Sequence, residues 1–287
     1  MPSYHCLRRS GDGKSDGPEI GDRLFRRGPS FRTNPQSRYT EAMTPASAPR
    51  FHLGIVTGLD FEADIARAAI AAAPAAGTDL VTVACHGPGQ DRGLSAARSL
   101  LDIGATALLS FGVAGGCDPA LPSGTVVLCT GVRDLTGNGN GKILYTNREW
   151  LRRLKSRLLG DVLVEDAMIA SVAKPATGAA DKCLLHSDLN AAAVDMESAA
   201  IARAAIDAAV PFMALRAVLD DAQTTLSPTA LAGLGADGKP DLAAIARAIV
   251  KRPHDIPGLI RLGSANVKAK RALTRTANTT GPMFGAL

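Results

Sequence analysis

The stretch VDMESAAIARAAIDAAVPFMALRAVLDDA, residues 194–222, decides the fold of this chain. Residues 198–209 are almost all Ala and Ile, which predicts a helix whose backbone packs closely against its neighbours. Pro211 ends that helix, and the apolar residues 212–219 that follow are typical of a buried strand. A helix followed directly by a buried strand is a unit from which α/β sheets are built.

Acidic residues lie at both ends of this unit. Glu197 precedes the helix, whereas Asp220 and Asp221 end the strand. Because ligands of open α/β sheets bind outside the carboxyl ends of the strands, these acids predict a ligand-binding site. A structural role fits equally well, since Glu197 stabilises the first turn of a helix and Asp220 caps a turn. The pattern alone leaves both interpretations open.

The composition is that of an α/β protein with closely packed helices. Of the 287 residues, 46% are apolar and only 4% aromatic. No apolar run reaches the ~20 residues of a membrane span, and no signal peptide pattern begins at Met1. The five cysteines lack the CxxC spacing of a zinc site. We therefore expect reduced thiols in a cytoplasmic protein, with neither a metal nor a redox cofactor.

Charge is distributed unevenly along the chain. Residues 1–42 hold 8 Lys or Arg against 5 Asp or Glu, residues 251–287 hold 7 against 1, and residues 43–250 hold 17 against 21. An acidic body without a basic face argues against nucleic acid as a partner. Residues 251–287 predict either a loosely docked helix or a tail that contacts anionic lipid headgroups at the inner face of a membrane.

Three segments follow from these patterns. Residues 1–50 are rich in Arg, Ser, Gly and Pro, which predicts a disordered extension, with Met43 as an alternative start of the protein. Residues 51–250 alternate between strand and helix patterns without an internal repeat, so we expect one domain. Residues 251–287 are predicted to form a basic C-terminal tail.

Two further strand ends carry candidate site residues. The strand predicted at 51–57 leads through Gly58 into a helix that holds Glu62 in its first turn. The strand predicted at 107–111 leads into a glycine loop, GVAGG, at residues 112–116. Glycine at such a position lets the backbone approach a ligand closely.

Together these motifs resemble the nucleoside phosphorylase and methylthioadenosine/S-adenosylhomocysteine nucleosidase superfamily. The resemblance runs from about Phe51 to about Val250 and is carried by VDMESAAIARAA, VPFMALRAVLD and GVAGG. It implies a three-layer α/β/α fold with a central mixed, largely parallel twisted sheet, and a homo-oligomer. The sequence is most similar to the hopanoid-associated phosphorylase branch, which is thought to remove adenine from adenosylhopane.

The resemblance also implies a role for each site residue. Met196 and Glu197 bind the ribose, Asp220 protonates the leaving purine at N7, and Glu62 positions the attacking water in hydrolytic members. The remaining predicted contacts to the nucleoside are Gly58, Val113, Ala114 and Gly115.

The nucleophile is left open between phosphate and water. The branch name implies phosphorolysis with inorganic phosphate as co-substrate, and Gly58, Gly89 and Arg92 supply candidate phosphate donors. Glu62 favours water instead, because a carboxylate repels a phosphate dianion. On the branch resemblance alone we expect phosphorolysis.

Two other functions also fit. One is an ordinary methylthioadenosine/S-adenosylhomocysteine nucleosidase, and the other is a nucleoside-binding module without catalysis. Nucleosidases carry an aromatic residue that stacks on the purine where this chain has Lys174 and Pro175. This departure is compatible with a pocket reshaped for a bulky, lipid-linked substituent. The joint presence of Glu62, Glu197 and Asp220 argues against a module that has lost catalysis.

Overall fold

Strands and helices alternate along most of the chain, as the sequence predicts. The computed structural model describes residues 51–72, 80–137, 141–158, 160, 164–232 and 241–286, so the predicted extension 1–50 lies outside them. The described strands are β1 His52–Thr57, β2 Leu80–Cys85, β3 Ala107–Gly116, β4 Val126–Asp134, β5 Lys142–Tyr145, β6 Val164–Ser171, β7 Ala193–Asp195 and β8 Phe212–Val218. The described helices are α1 Asp60–Ala71, α2 Gln90–Asp102, α3 Arg148–Leu158, α4 Ala179–Leu189, α5 Ser198–Asp207, α6 Pro228–Ala232, α7 Leu242–Lys251 and α8 Ile256–Thr280.

One mixed sheet holds these strands in the order β2-β1-β3-β7-β6-β4-β5, with β8 between β3 and β4. The pairs β1–β2, β1–β3, β3–β8, β4–β6 and β6–β7 are parallel, and the pairs of β3 with β7 and of β4 with β5 and β8 are antiparallel. Strands β3, β8, β4, β6 and β7 therefore hydrogen-bond in a closed cycle.

Helices cover both faces of the sheet. On one face, α2 and α5 pack through small side chains such as Ala96, Ala97 and Ala202, all fully buried. On the other face, α1, α3 and α8 pack around Phe111, Trp150 and other large side chains. These two layers and the sheet confirm the predicted three-layer α/β/α fold.

The glycine-rich segment predicted as a loop is part of β3, which corrects the boundary drawn at residue 111. Residues 112–114 pair with β8, and residues 115–116 pair with β7, so hydrogen bonds on both sides hold the segment extended. Gly116 is needed for this packing, because a Cβ there would lie 2.9 Å from Cγ1 of Val218.

The predicted basic tail also requires correction, because its C-terminal part belongs to the core. Ala269, Leu273 and Ala277 of α8 are fully buried. Beyond the helix, the carbonyl of Phe284 accepts a hydrogen bond from the Trp150 indole at 2.7 Å. The Phe284 ring meets Phe111 edge-on, with ring centroids 5.2 Å apart.

Within the described residues, no helix is both long enough and apolar enough to cross a membrane. In the same part of the chain the cysteines are free thiols: Cys85, Cys117, Cys129 and Cys183.

Candidate active site

The carboxyl ends of β1, β3 and β8 meet at one edge of the sheet, because these strands are neighbours and parallel. A cavity of about 160 Å³ opens there. It is lined by all the residues predicted to bind or cleave a nucleoside: Gly58, Glu62, Val113, Ala114, Gly115, Met196, Glu197 and Asp220. The sequence prediction thus named residues that the fold brings together.

Glu62 is buried and held by three backbone N–H groups. Its Oε2 accepts hydrogen bonds from Gly58 and Leu59 at 3.0 and 2.9 Å, and its Oε1 accepts one from Val113 at 2.8 Å. Burial raises the pKa of Glu62, against the opposing effects of Arg216 and of the three N–H groups. A Cβ at residue 112 would overlap Oε1 of Glu62, so the glycine there makes room for the carboxylate.

Glu197 reaches the same cavity from the start of α5. Its Oε1 accepts a hydrogen bond of 2.6 Å from the N–H of Gly89. A Cβ added at Gly58 would lie 3.3 Å from the Glu197 carboxyl carbon, so both carboxylates adjoin this glycine. Burial, followed by repulsion from Asp195, raises the pKa of Glu197 to about 7.

Arg216 is buried, and its charge acts on both carboxylates. Its Nε and Nη2 donate to Oδ2 of Asp195 at 2.9 and 2.6 Å, and Nη2 also donates to Ser110 and Ser198. Its positive charge opposes the rise in pKa of both Glu62 and Glu197. The strand pattern alone does not reveal a site role for this arginine, although the register places it opposite Gly112.

Asp220 lies two residues beyond β8 and is paired with a lysine that the sequence did not suggest. Lys182 of α4 is fully buried, and its Nζ contacts Oδ2 of Asp220. The same Nζ donates to the carbonyls of Asp221 and Thr224, at 2.9 Å each. Burial raises the pKa of Asp220 in spite of the opposing charge of Lys182, and the charge of Asp221 adds a smaller increase.

The three groups predicted to bind phosphate do not line one cavity: Gly58 lines the cavity around Glu62, whereas Gly89 and Arg92 line a neighbouring cavity that shares Pro88 with it. The N–H of Gly58 donates to Glu62, and the N–H of Gly89 donates to Glu197. Arg92 is exposed, bonds the carbonyl of Pro88 at 3.3 Å, and lines a different cavity together with Lys142 and Arg203.

An apolar groove of about 610 Å³ adjoins the cavity that Glu62, Glu197 and Asp220 line. Leu59, Leu219 and Leu226 line both, so the two are continuous. The rest of the groove wall comes from α1, α6, α7 and α8 and is largely aliphatic: Phe61, Ala230, Leu231, Ile245, Ile249, Ile256, Leu259, Ile260 and Leu262.

Residues 172–176 contribute to the wall of the cavity of about 160 Å³, where the sequence lacks the aromatic residue expected from the nucleosidases. Val172, Pro175 and Ala176 line the cavity there, and Lys174 is exposed. In the described part of the chain no aromatic ring lines this cavity.

Comparisons with known proteins agree with this architecture. A family model described as the Phosphorylase superfamily matches residues 74–251, more than half of the chain. A comparison with curated protein sequences gives no match.

Several solved structures share the fold at low sequence identity. An S-adenosylhomocysteine nucleosidase from Streptococcus pyogenes, in complex with 5-methylthiotubericidin, has a TM-score of 0.59 at 17% identity over 81% of this chain and 98% of its own. The 5'-methylthioadenosine/S-adenosylhomocysteine nucleosidase of Helicobacter pylori has a TM-score of 0.57 at 17% identity, over 80% of this chain and 98% of its own. Futalosine hydrolase from the same organism has a TM-score of 0.56 at 17% identity, over 79% and 97%.

Proposed function

The chain belongs to the Phosphorylase superfamily, and from this premise we propose that it cleaves the N-glycosidic bond of a purine nucleoside and releases adenine. The observation that carries the proposal is the single cavity shared by Glu62, Glu197 and Asp220. Glycosidic cleavage passes through an oxocarbenium-like state. The leaving base then needs a proton, and the sugar cation needs negative charge beside it.

Asp220 is the general acid of this proposal. A carboxyl group donates a proton near neutral pH only if its pKa is raised, and burial has this effect on Asp220. As the C1′–N9 bond breaks, the proton of Asp220 passes to N7 of adenine. Lys182 holds the carboxyl group in place from the side away from solvent.

Glu197 and Met196 bind the ribose. The Glu197 carboxylate is oriented by the Gly89 N–H and accepts hydrogen bonds from the sugar hydroxyls. Met196 is partly exposed to the cavity and packs against the sugar as an adaptable apolar surface.

Water is the nucleophile that the geometry supports better, in contrast to the phosphorolysis expected from the branch name. Two of the expected phosphate donors, Gly58 and Gly89, already bond carboxylates, and Arg92 lines another cavity. A phosphate dianion in the catalytic cavity would also lie beside Glu62 and Glu197. In the proposed reaction Glu62 accepts a proton from water as the water oxygen bonds to C1′.

The substrate that we propose is a nucleoside with a large apolar 5′ substituent, as in adenosylhopane. The support is the aliphatic groove, which begins where the catalytic cavity ends, at Leu59, Leu219 and Leu226. An apolar substituent in this groove would be removed from water, which favours binding. Methylthioadenosine, the competing substrate, has only a methylthio group at this position and leaves the groove unfilled.

The test of the nucleophile is adenine release in phosphate-free buffer and in millimolar phosphate, with the sugar product identified by mass. Hydrolysis predicts undiminished release without phosphate and a free ribosyl product. Glu62→Gln should then abolish most of the activity, whereas Glu165→Gln, an exposed carboxylate on β6, should not. Strict dependence on phosphate would refute hydrolysis.

The test of the substrate compares kcat/KM for adenosylhopane and for methylthioadenosine. We expect a preference for adenosylhopane, and we expect Ile249→Asn in the groove wall to reduce that preference. Efficient turnover of methylthioadenosine together with no turnover of adenosylhopane would identify an ordinary nucleosidase instead.

A further inference from the structure

The end of α7 and the first half of α8 leave an unusual surface uncovered. Between residues 241 and 268, every side chain that the structure describes is exposed or half-buried. From Ala269 onwards, one side of α8 enters the core. Nine large apolar side chains are exposed in the described part of the chain, and four lie within residues 250–267. These four are Val250, 83% exposed, Ile256, 40%, Ile260, 68%, and Val267, 47%. We call this surface the α7–α8 face.

The α7–α8 face is also strongly basic. Residues 241–286 carry eight Lys or Arg against two acids, Asp255 and Asp241, and Asp241 caps the N-terminus of α7. The Asp255 side chain is only 10% exposed, and it accepts a hydrogen bond from Thr229 at 2.5 Å. The basic side chains are exposed except for Lys270, which stacks on Phe61: Arg247, Lys251, Arg252, Arg261, Lys268, Arg271 and Arg275.

The mouth of the apolar groove opens on this face. Ile256 and Ile260 are exposed and at the same time line the groove. The exposed aliphatic side chains, the basic side chains and the groove entrance therefore occupy one surface. Helices that lie in a membrane interface combine these properties, because apolar side chains enter the acyl region while Lys and Arg attract anionic headgroups.

We propose that the α7–α8 face docks on an anionic lipid bilayer, with the mouth of the groove against the lipid. The docking itself is independent of catalysis. Its consequence rests on the proposed function: a nucleoside with an apolar substituent passes from the leaflet into the groove, and its apolar part never crosses water.

A second copy of the chain fits this face less well. In a two-fold symmetric interface each copy presents the same residues to the other. The basic side chains around Val250 and Ile260 would then face their own equivalents, and like charges across an interface are unfavourable. An anionic bilayer complements both the charge and the aliphatic side chains.

The experiment is co-sedimentation of the full chain with vesicles of phosphatidylcholine alone, or with one third phosphatidylglycerol. We expect binding that requires phosphatidylglycerol and falls steeply as salt is added. Absence of binding, or equal binding to both vesicles at all salt concentrations, would overturn the proposal.

Matched variants locate the surface. Arg252→Glu should weaken partitioning about tenfold or more, whereas Arg98→Glu, an equally exposed arginine on the opposite face of the sheet, should not. Val250→Asn should likewise weaken binding, and Ile103→Asn at the end of α2 should not. Vesicle binding that is unchanged in both Arg252→Glu and Val250→Asn would refute the assignment of the α7–α8 face as the lipid-binding surface. A smaller oligomer in Val250→Asn, together with no vesicle binding by the original protein, would also refute it and would indicate an interface between copies of the chain.

The two proposals fail separately. Vesicle binding without cleavage of adenosylhopane would leave the docking surface standing and refute the substrate. Cleavage of detergent-dispersed adenosylhopane without vesicle binding would support the proposed substrate and refute the docking surface.

Discussion

Lys182 and Asp220 form a buried ion pair between α4 and the end of β8. The ammonium also bonds the carbonyls of Asp221 and Thr224, so one side chain fixes both the acid and the backbone that follows it. That backbone leads to Leu226, which lines the catalytic cavity and the groove. Lys182 therefore positions both the Asp220 carboxyl group and the backbone that leads to the cavity wall at Leu226.

Asp220→Asn should lower kcat for adenine release by ~10²–10⁴-fold, the loss typical of removing a general acid. Asparagine retains an oxygen that can accept a bond from Lys182, so the near-ultraviolet circular dichroism should remain that of the folded protein. Asp102→Asn, an exposed acid at the end of α2, is the control. A variant with more than about a tenth of the original kcat would remove Asp220 from the mechanism.

Lys182→Met should move the alkaline limb of the kcat/KM profile to higher pH. The reaction needs protonated Asp220, and the charge of Lys182 lowers the pKa of this acid. Removing that charge raises the pKa, so Asp220 stays protonated to a higher pH. Lys182→Arg, which keeps the charge, and Lys155→Met, which breaks a surface pair with Asp166, should leave the limb in place. A purely structural role for Lys182 would change the rate without moving the limb.

Glu197→Gln should reduce discrimination between ribosyl and 2′-deoxyribosyl substrates. The carboxylate accepts hydrogen bonds from both sugar hydroxyls, whereas the amide offers only one oxygen for this purpose. The measurement is the ratio of kcat/KM for the two substrates in each variant. An unchanged ratio would show that Glu197 does not hold the hydroxyls.

Glu197→Gln should also make the free energy of unfolding depend less on pH. The pKa of Glu197 is raised from 4.5 to about 7, so the folded state binds this proton more tightly than the unfolded state. The resulting stabilisation is complete below about pH 4.5 and is lost as the pH rises through 7. Urea unfolding at pH 5 and pH 8 should therefore differ less in Glu197→Gln than in the original protein. Glu165→Gln should keep the original difference, and an unaltered difference in Glu197→Gln would contradict the assignment.

Gly112→Ala should displace the Glu62 carboxylate, because the new Cβ occupies its place. Misplacement of a catalytic group by about 1 Å costs on the order of 10²-fold in rate, so kcat should fall by about that factor. Gly258→Ala, where an added Cβ meets no atom within 4 Å, is the matched control. Full activity in Gly112→Ala would show that the position of Glu62 is not critical.

Glu62, Glu197 and Asp220 could be singled out from the sequence because each lies next to the end of a predicted strand or the start of a predicted helix. Glu62 is in the helix that follows the strand at 51–57, Glu197 precedes the helix at 198–209, and Asp220 follows the apolar run 212–219. Their roles came from the family resemblance. The parallel arrangement of the sheet then brings the strand ends together. The position of such a residue can be predicted from the sequence, because the apolar pattern of the neighbouring strand or helix shows where that element begins or ends.

Lys182 could not be predicted in this way. The buried side chain of α4 is the lysine itself, so the helix has no apolar face for a pattern to reveal. Its partner lies 38 residues away along the chain. Arg216 was similarly hidden, because an arginine within a buried strand is interpretable only once its contact with Asp195 is known.

The role of α8 was obscured for a different reason. Apart from Leu273, its buried face consists of small residues, including Ala269, Ala272, Thr276 and Ala277, spaced between exposed basic residues. The basic residues dominate the composition of this segment, so it resembles a solvent-exposed tail. Its packing depends instead on the small size of the buried side chains and on their spacing along the helix.

The closed cycle of β3, β8, β4, β6 and β7 leaves β8 bonded on both edges, while α6, α7 and the first half of α8 hold few deeply buried residues. Amide hydrogens in β8 should therefore exchange on the slow timescale of global unfolding, and those of α7 on the faster timescale of local opening. Substitutions in α7 and the first half of α8 should thus alter a part of the molecule that opens locally, apart from the strands that position Glu62 and Asp220. Under the proposed function, the specificity for the 5′ substituent can therefore diverge in evolution while the chemistry at C1′ is inherited unchanged.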